Sequence, residues 1–452
     1  MFLRVIKHKL LKLYRLLLII FLSFFFAGKL FAKQVFIRDA EIEEFLRDVT
    51  IPIAKAADLN YNNIKIFIIK DSNINAFVSG GQNIFINTGL ITKFKKPGAI
   101  IGVIAHEIGH IKAGHLARHE EGYEISKSAI LLSYFLGAGA IAAGSYDAGS
   151  AIMMGGTHIA NRMSLKYSRS QEEVADQYAI KFLNKISYSA DGLIELLEYF
   201  NKKYNIYSDF IDPYSLTHPI SSNRIDLIIN SDSYNLNNNN YSNNIVSQDR
   251  MDTIKAKIIA FEKDPRELIL EYKKFNDPLS RYILSIAYHR SNNHKKSINI
   301  ISKLIANYKN DKISNLKFLY ELRAQFLFEN GYINESINDY EKAISLMPLR
   351  QSILARIAYS NCVIISGVKL KKSLKYLNES LIIEPNNAII YKNIAAINYK
   401  LGNKILSQIS LAKYYYYIDK IDKAKSIINE LENQINKSEH KTEIDDLIDL
   451  FN

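Results

Sequence analysis

Two segments in the second half of the chain, LRAQFLFENGYINESINDYEKAISLMP and YSNCVIISGVKLKKSLKYLNESLIIEP, align with turn glycines at Gly331 and Gly367 and closing prolines at Pro348 and Pro385. A third turn glycine, Gly402, lies in IAAINYKLGNKILSQISLAK, and SIAYHRSNNHKKSINIISKLI is an earlier copy without glycine. Spacings of 35–37 residues between equivalent positions predict two amphipathic helices per repeat. Neither helix can bury its apolar stripe alone, so successive pairs must stack.

The period is that of tetratricopeptide (TPR) repeats, and it predicts an α-solenoid of helical hairpins over residues 250–452. A generic helical bundle would not repeat both a glycine and a proline at one period. Stacked hairpins leave a concave face suited to a partner or peptide. Ahead of the repeats, SDSYNLNNNNYSNNIVSQD (231–249) has the Asn-rich composition of a linker or long loop. Residues 33–230 form the remaining domain and hold all the candidate chemistry.

Residues 1–32 place Arg4, Lys7, Lys9, Lys12 and Arg15 before an uncharged apolar run, Leu16 to Ala27, with small residues near Ala32. This is the anatomy of a signal peptide cleaved after Ala32, and the run is shorter than a membrane span requires. The leader also accounts for much of the basic balance. The chain's +12 includes six Lys or Arg in residues 1–32 with no acid, leaving +6 on the mature chain. Such a charge gives no reason to expect nucleic acid as a partner. The single cysteine, Cys362, excludes an intramolecular disulfide.

The central motif is His106-Glu107-Ile108-Gly109-His110, within AIIGVIAHEIGHIKAGHLA. Residues four apart on a helix share a face, so His106 and His110 can aim ring nitrogens at one Zn²⁺, with Glu107 beside them as general base. A chance HExxH match is expected on the order of 0.01 times in a chain of this composition. A catalytic zinc needs a third protein ligand, and YSRSQEEVADQYAIKFL offers Glu172, with Asp176 one turn on to accept the second ring N–H of a ligand histidine. Glu173 is the competing ligand, about 100° round the helix. If the metal helix continues, His115 and His119 lie about 180° from His106 and His110 and face solvent. Ala113 and Leu116 stand where the metzincin pattern requires Gly and His.

HEIGH followed by the Glu172/Asp176 pair resembles the M48 family of zinc metallopeptidases. Asn75 to Ile91 (NAFVSGGQNIFINTGLI) is similar to that family's segment before the metal helix, and His218-Pro219-Ile220-Ser221-Ser222-Asn223-Arg224 to its HPxxxxR segment. With the leader and the repeats, the architecture resembles the periplasmic proteases of that family that act in β-barrel assembly. The resemblance implies a mainly α protein: a zincin-type α+β domain with a small sheet, one Zn²⁺ per chain, then the TPR-like solenoid. It implies a periplasmic endopeptidase acting on misfolded or misassembled proteins, with the outer-membrane assembly machinery as the partner of the repeats and at most peripheral membrane contact. The alternative is a scaffold or chaperone whose proteolysis is suppressed.

Further roles follow. Asn83, Ile84, Phe85, Ile86 and Asn87 are expected as an exposed edge strand to which an extended substrate adds through main-chain hydrogen bonds. His218 either stabilises the oxyanion or takes the fourth metal position and blocks it. Arg224 pairs with Asp176 or another nearby acid, or else lies on the surface. The apolar run Ala129 to Gly144 is too short for a span and is read as a buried or cleft-covering helix.

Overall fold

A helix that is apolar all round belongs in a core, and every residue from Ala99 to Gly109 of the metal helix is buried. The computed structural model describes residues 35–79, 81–115, 169–206, 218–219, 222–231, 234, 245–308, 316–432 and 441–449. The leader, the Ala129–Gly144 run and His119 lie outside these residues. The elements of the first region are β1 (Phe36–Ile37), α1 (Ala40–Ala56), β2 (Lys65–Ile69), β3 (Ala76–Ser79), β4 (Asn83–Asn87), α2 (Thr88–Lys93) and α3 (Gly98–Ala113). A helix over residues 169–185, α4, follows, then α5 (Asp191–Ile206) and α6 (Ser222–Ile229).

The sheet has the order β1-β2-β4-β3. β4 pairs in parallel with β2 (Ile66 beside Ile84) and antiparallel with β3 (Ala76 beside Ile86). Its alternation is that of a half-buried strand. Ile84 and Ile86 enter the core, and Phe85 stacks on the other face between Phe67 and Phe77, with centroids 5.1 and 5.0 Å away. This corrects the sequence reading of Asn83–Asn87 as the edge. A strand with a neighbour on each side has both rows of main-chain groups engaged, and the outer strand beside it is β3.

α3 packs against α1, α5 and β3. Its approach to α4 depends on Gly109, where a Cβ would lie 2.6 Å from the Ala175 carbonyl oxygen. The same core takes in Val246, Met251, Ile254 and Ile258, the last three from α7 (Gln248–Glu262). Ala256 and Ala260, also on α7, belong instead to the first core of the repeats. One helix thus serves two cores.

After α8 (Pro265–Tyr272) come four helical hairpins: α9 (Pro278–Arg290) with α10 (His294–Ala306), α11 (Leu316–Glu329) with α12 (Ile333–Ser345), α13 (Leu349–Ser366) with α14 (Leu370–Leu381), and α15 (Ala388–Leu401) with α16 (Lys404–Tyr417). α17 (Ile421–Glu432) and α18 (Lys441–Asp449) follow. The turn glycines Gly331, Gly367 and Gly402 all have φ between 76 and 85°, and in the copy without glycine Asn292 takes the same left-handed conformation at φ 60°. Asn is the side chain that best tolerates it.

Helices α7, α9, α11 and α12 meet α1 and its N-cap Asp39. Lys257 Nζ lies 2.7 Å from Asp39 and 3.1 Å from Glu41, the Tyr282 hydroxyl donates to Glu41 at 3.3 Å, and Lys317 donates to Glu44 at 2.6 Å. Ala40 packs against Phe318, Ala343 and Met347. Part of the repeat surface is therefore engaged by the chain's own first helix.

Candidate metal centre

One turn of α3 separates His106 from His110, and their Nε2 atoms stand 3.0 Å apart. From α4, Glu172 brings Oε2 to 3.2 Å from His106 Nε2 and Oε1 to 3.2 Å from His110 Nε2. Ligand atoms bound tetrahedrally to one zinc lie about 3.4 Å from each other, so the three side chains have metal-site spacing. His218 joins them, with Nδ1 3.1 Å from Glu172 Oε2 and 3.4 Å from His106 Nε2. The four ligand atoms lie within 4.8 Å of one another, the sole such group of three or more among the described residues.

The charges ask for a cation. Burial alone would raise the Glu172 carboxyl, but His218 and His106 outweigh it and hold it well below its ordinary value. Burial pulls the His106 imidazolium down, yet Glu172 and Asp176 lift it to about 10. His110, where burial dominates, is lowered. Glu107 is fully buried and neither of its oxygens has a hydrogen-bond partner; His218 Nε2 is 3.3 Å from its Oε1. A buried carboxylate with only that imidazole contact and no hydrogen bond is costly, and it suits a base that receives a water beside a metal.

Behind the ligands, His106 Nδ1 donates to Asp176 Oδ1 at 2.8 Å, which leaves Nε2 for the metal. Arg224, 1% exposed, donates to both Asp176 oxygens at 2.7 and 2.9 Å and stands 3.0 Å from Glu172 Oε2. Burial would raise the Asp176 carboxyl, but Arg224 and His106 hold it below its usual range. Of the two placements expected for Arg224, the structure has the ion pair. Glu173, one residue from Glu172, is not among the four ligand residues.

His115 is a correction. It is 8% exposed, and its Nδ1 is 2.8 Å from His110 Nδ1. The 180° rotation holds only for a continuous helix, and α3 stops at its C-cap Gly114, with φ 68° and N–H bonds to the His110 and Ile111 carbonyls. A glycine four residues after His110 was the available signal.

Asn83–Asn87 reaches no ligand; β3 does. The Ala76 carbonyl accepts from His218 Nε2 at 3.0 Å. Since Asn87 N–H bonds to the Asn75 carbonyl, alternation turns the main-chain groups of Ala76 and Val78 away from β4.

Residues 37–230 match the profile of Peptidase family M48. The chain carries an M48 metallopeptidase domain. An Escherichia coli protein described as a beta-barrel assembly-enhancing protease is 20% identical over 419 residues, 91% of this chain and 83% of that protein. A Vibrio cholerae protein given the same description provisionally is 27% identical over 193 residues, 43% of this chain and 40% of its own length. The metalloprotease YcaL of E. coli is 29% identical over 151 residues, 32% of this chain and 55% of YcaL. The TPR domain of P58(IPK) aligns at 14% identity over 73% of this chain and 98% of that structure, but its TM-score of 0.22 carries no argument. The M48 domain is an enzyme's domain, and its metal dependence agrees with the His-His-Glu cluster.

Proposed function

We propose that the chain is a periplasmic zinc endopeptidase that hydrolyses misfolded or misassembled outer-membrane proteins. In this reading residues 1–32 are a cleaved leader, 33–230 the catalytic domain and 250–452 a recruiting TPR-like domain. The observation that carries it is Glu107, a buried carboxylate without a hydrogen-bond partner beside three converging ligands. The similarity to beta-barrel assembly-enhancing proteases over 91% of the chain supports the substrate class.

His106, His110 and Glu172 would hold the ion. When bound, zinc supplies Lewis acidity, polarising a carbonyl and making water acidic near neutral pH. Glu107 takes the proton of the attacking water on a carboxylate oxygen and passes it to the leaving amine. Asp176, fixed by Arg224, keeps His106 in the Nδ1–H tautomer throughout. An extended substrate lies along β3 and bonds to the outward groups of Val78, an arrangement indifferent to its side chains.

His218 favours a restrained resting state. Its ring sits within the ligand group, 3.3 Å from the base, and bonds to the Ala76 carbonyl on the substrate strand. It therefore covers the base and part of the docking edge together. That observation also supports a second reading, a scaffold for outer-membrane protein assembly whose proteolysis is normally suppressed. The deciding experiment compares wild type, Glu107→Gln and His218→Ala on an unfolded β-barrel protein, with zinc counted in each. Zinc retained but cleavage lost in Glu107→Gln supports the enzyme; equal cleavage by wild type and Glu107→Gln refutes it.

A further inference from the structure

The two histidines of HEIGH are oriented differently. His106 donates from Nδ1 to the carboxylate of Asp176. Among the described residues no carboxylate pairs with His110 Nδ1; the atom 2.8 Å away is Nδ1 of His115. With both Nε2 atoms facing Glu172, His110 must carry its proton on Nδ1 and donate it, so the His115 ring accepts at Nδ1 and carries its own proton on Nε2. A ring nitrogen pair this close permits only one N–H between them.

We propose that His115 is the positioning residue of the second histidine ligand: as a neutral acceptor it fixes the tautomer and aim of His110. The inference rests on reading the cluster as a metal centre. Partners of this kind affect metal affinity by about 10- to 100-fold when removed. Placement follows from the left-handed turn at Gly114, where φ is 68°. Without that turn, position 115 lies on the far side of the helix. The chemistry explains the choice of histidine over an acid. Glu172 and Asp176 already share one guanidinium, Arg224, with the Glu107 carboxylate buried close by, and a fourth carboxylate at His110 would add unbalanced negative charge. Imidazole supplies the acceptor without the charge.

The test replaces His115 by Asn, whose side-chain oxygen falls at the place of the imidazole Nδ1, and by Leu, of similar bulk with no acceptor. Zinc affinity of each full-length chain is measured by competition with a chromophoric chelator, and unfolding of the metal-free forms is followed by calorimetry. The expected result is a 10- to 100-fold loss of affinity for His115→Leu, recovery to within about threefold of wild type for His115→Asn, and similar metal-free melting for all three. Unchanged affinity in His115→Leu overturns the proposal. So does an equal loss in Asn and Leu, since the acceptor would then be irrelevant. If His115→Leu does not fold, the Asn variant decides alone: loss of affinity with wild-type melting overturns the proposal, and retention supports it. Failure of the underlying reading looks different: wild type would bind no zinc, or His110→Ala would bind it as tightly as wild type.

Discussion

Replacing Arg224 by methionine removes the guanidinium that, among the described residues, faces Asp176 and Glu172, while keeping much of the side chain's apolar volume. Both carboxylates are about 97% buried, and the arginine lies 2.7 Å from one and 3.0 Å from the other. For charge centres about 4 Å apart at an effective dielectric of about 20, the attraction is about 4 kcal/mol. Breaking one side of a buried pair costs about 3–5 kcal/mol, because the remaining charge stays buried without its partner. A loss of that size lowers the melting temperature by roughly 5–10 °C. Calorimetry with chelator present is the assay, so that metal binding does not mask the change. Arg224→Lys, which keeps the charge but cannot grip both oxygens of Asp176, should fall between the two. A chelated Arg224→Met chain within 1 kcal/mol of wild type would show that the carboxylates are balanced by something other than this arginine.

Four further outcomes are expected. His106→Ala, His110→Ala and Glu172→Ala should each lose metal as well as peptidase activity, measured as zinc per chain; if Glu173→Ala loses it instead, the ligand assignment on α4 is wrong. Val78→Pro deletes an N–H that points away from β4, so the sheet should hold while kcat/KM on unfolded protein falls about tenfold; an unchanged ratio removes β3 as the docking strand. Burial pushes the Glu321 carboxyl up to about 8 from an ordinary 4.5, against Lys257 and with Asp39, Glu41 and Glu43 adding to it. The folded chain then keeps a proton that the unfolded chain releases, a stabilisation present below about pH 4.5 and lost as pH rises through about 8; Glu321→Gln should flatten that decline, and parallel curves for the two chains would discount it. A chain ending at Asn230 leaves the seats of Val246, Met251, Ile254 and Ile258 exposed, at about 1.5–3 kcal/mol for each larger side chain, and should not fold; a metal-loaded, folded fragment would refute this.

What could be read from the sequence was whatever short-range geometry fixes. HEIGH needs only one helical turn to bring His106 and His110 together, and Glu172 and Asp176 need only one more. The hairpins were legible because Gly331, Gly367 and Gly402 recur where a left-handed residue ends a helix. Sheet order was not, because β2 and β4 are separated by β3 in the chain and nothing local in NIFIN says that Lys65–Ile69 will lie alongside it. The environment of His115 differs from the sequence expectation for another reason: the rotation holds for a continuous helix, and Gly114 stops this one. Arg224 stood undecided because an arginine's burial depends on carboxylates that arrive from another part of the chain.

The two-faced helix α7 carries a consequence for the order of events during synthesis. The polypeptide emerges from its N-terminus, so HEIGH, the third ligand and His218 are all available before Met251, Ile254 and Ile258 have appeared. Until they do, the core beneath the ligands has a missing wall, and the residues that fill it also begin the first repeat core through Ala256 and Ala260. A half-made chain therefore possesses every chemical group for peptide hydrolysis without the packing that holds them in register. Competence arrives together with the first part of the repeats, and if these recruit substrate as proposed, a nascent chain is kept from cutting before it has begun to acquire the means of choosing what to cut.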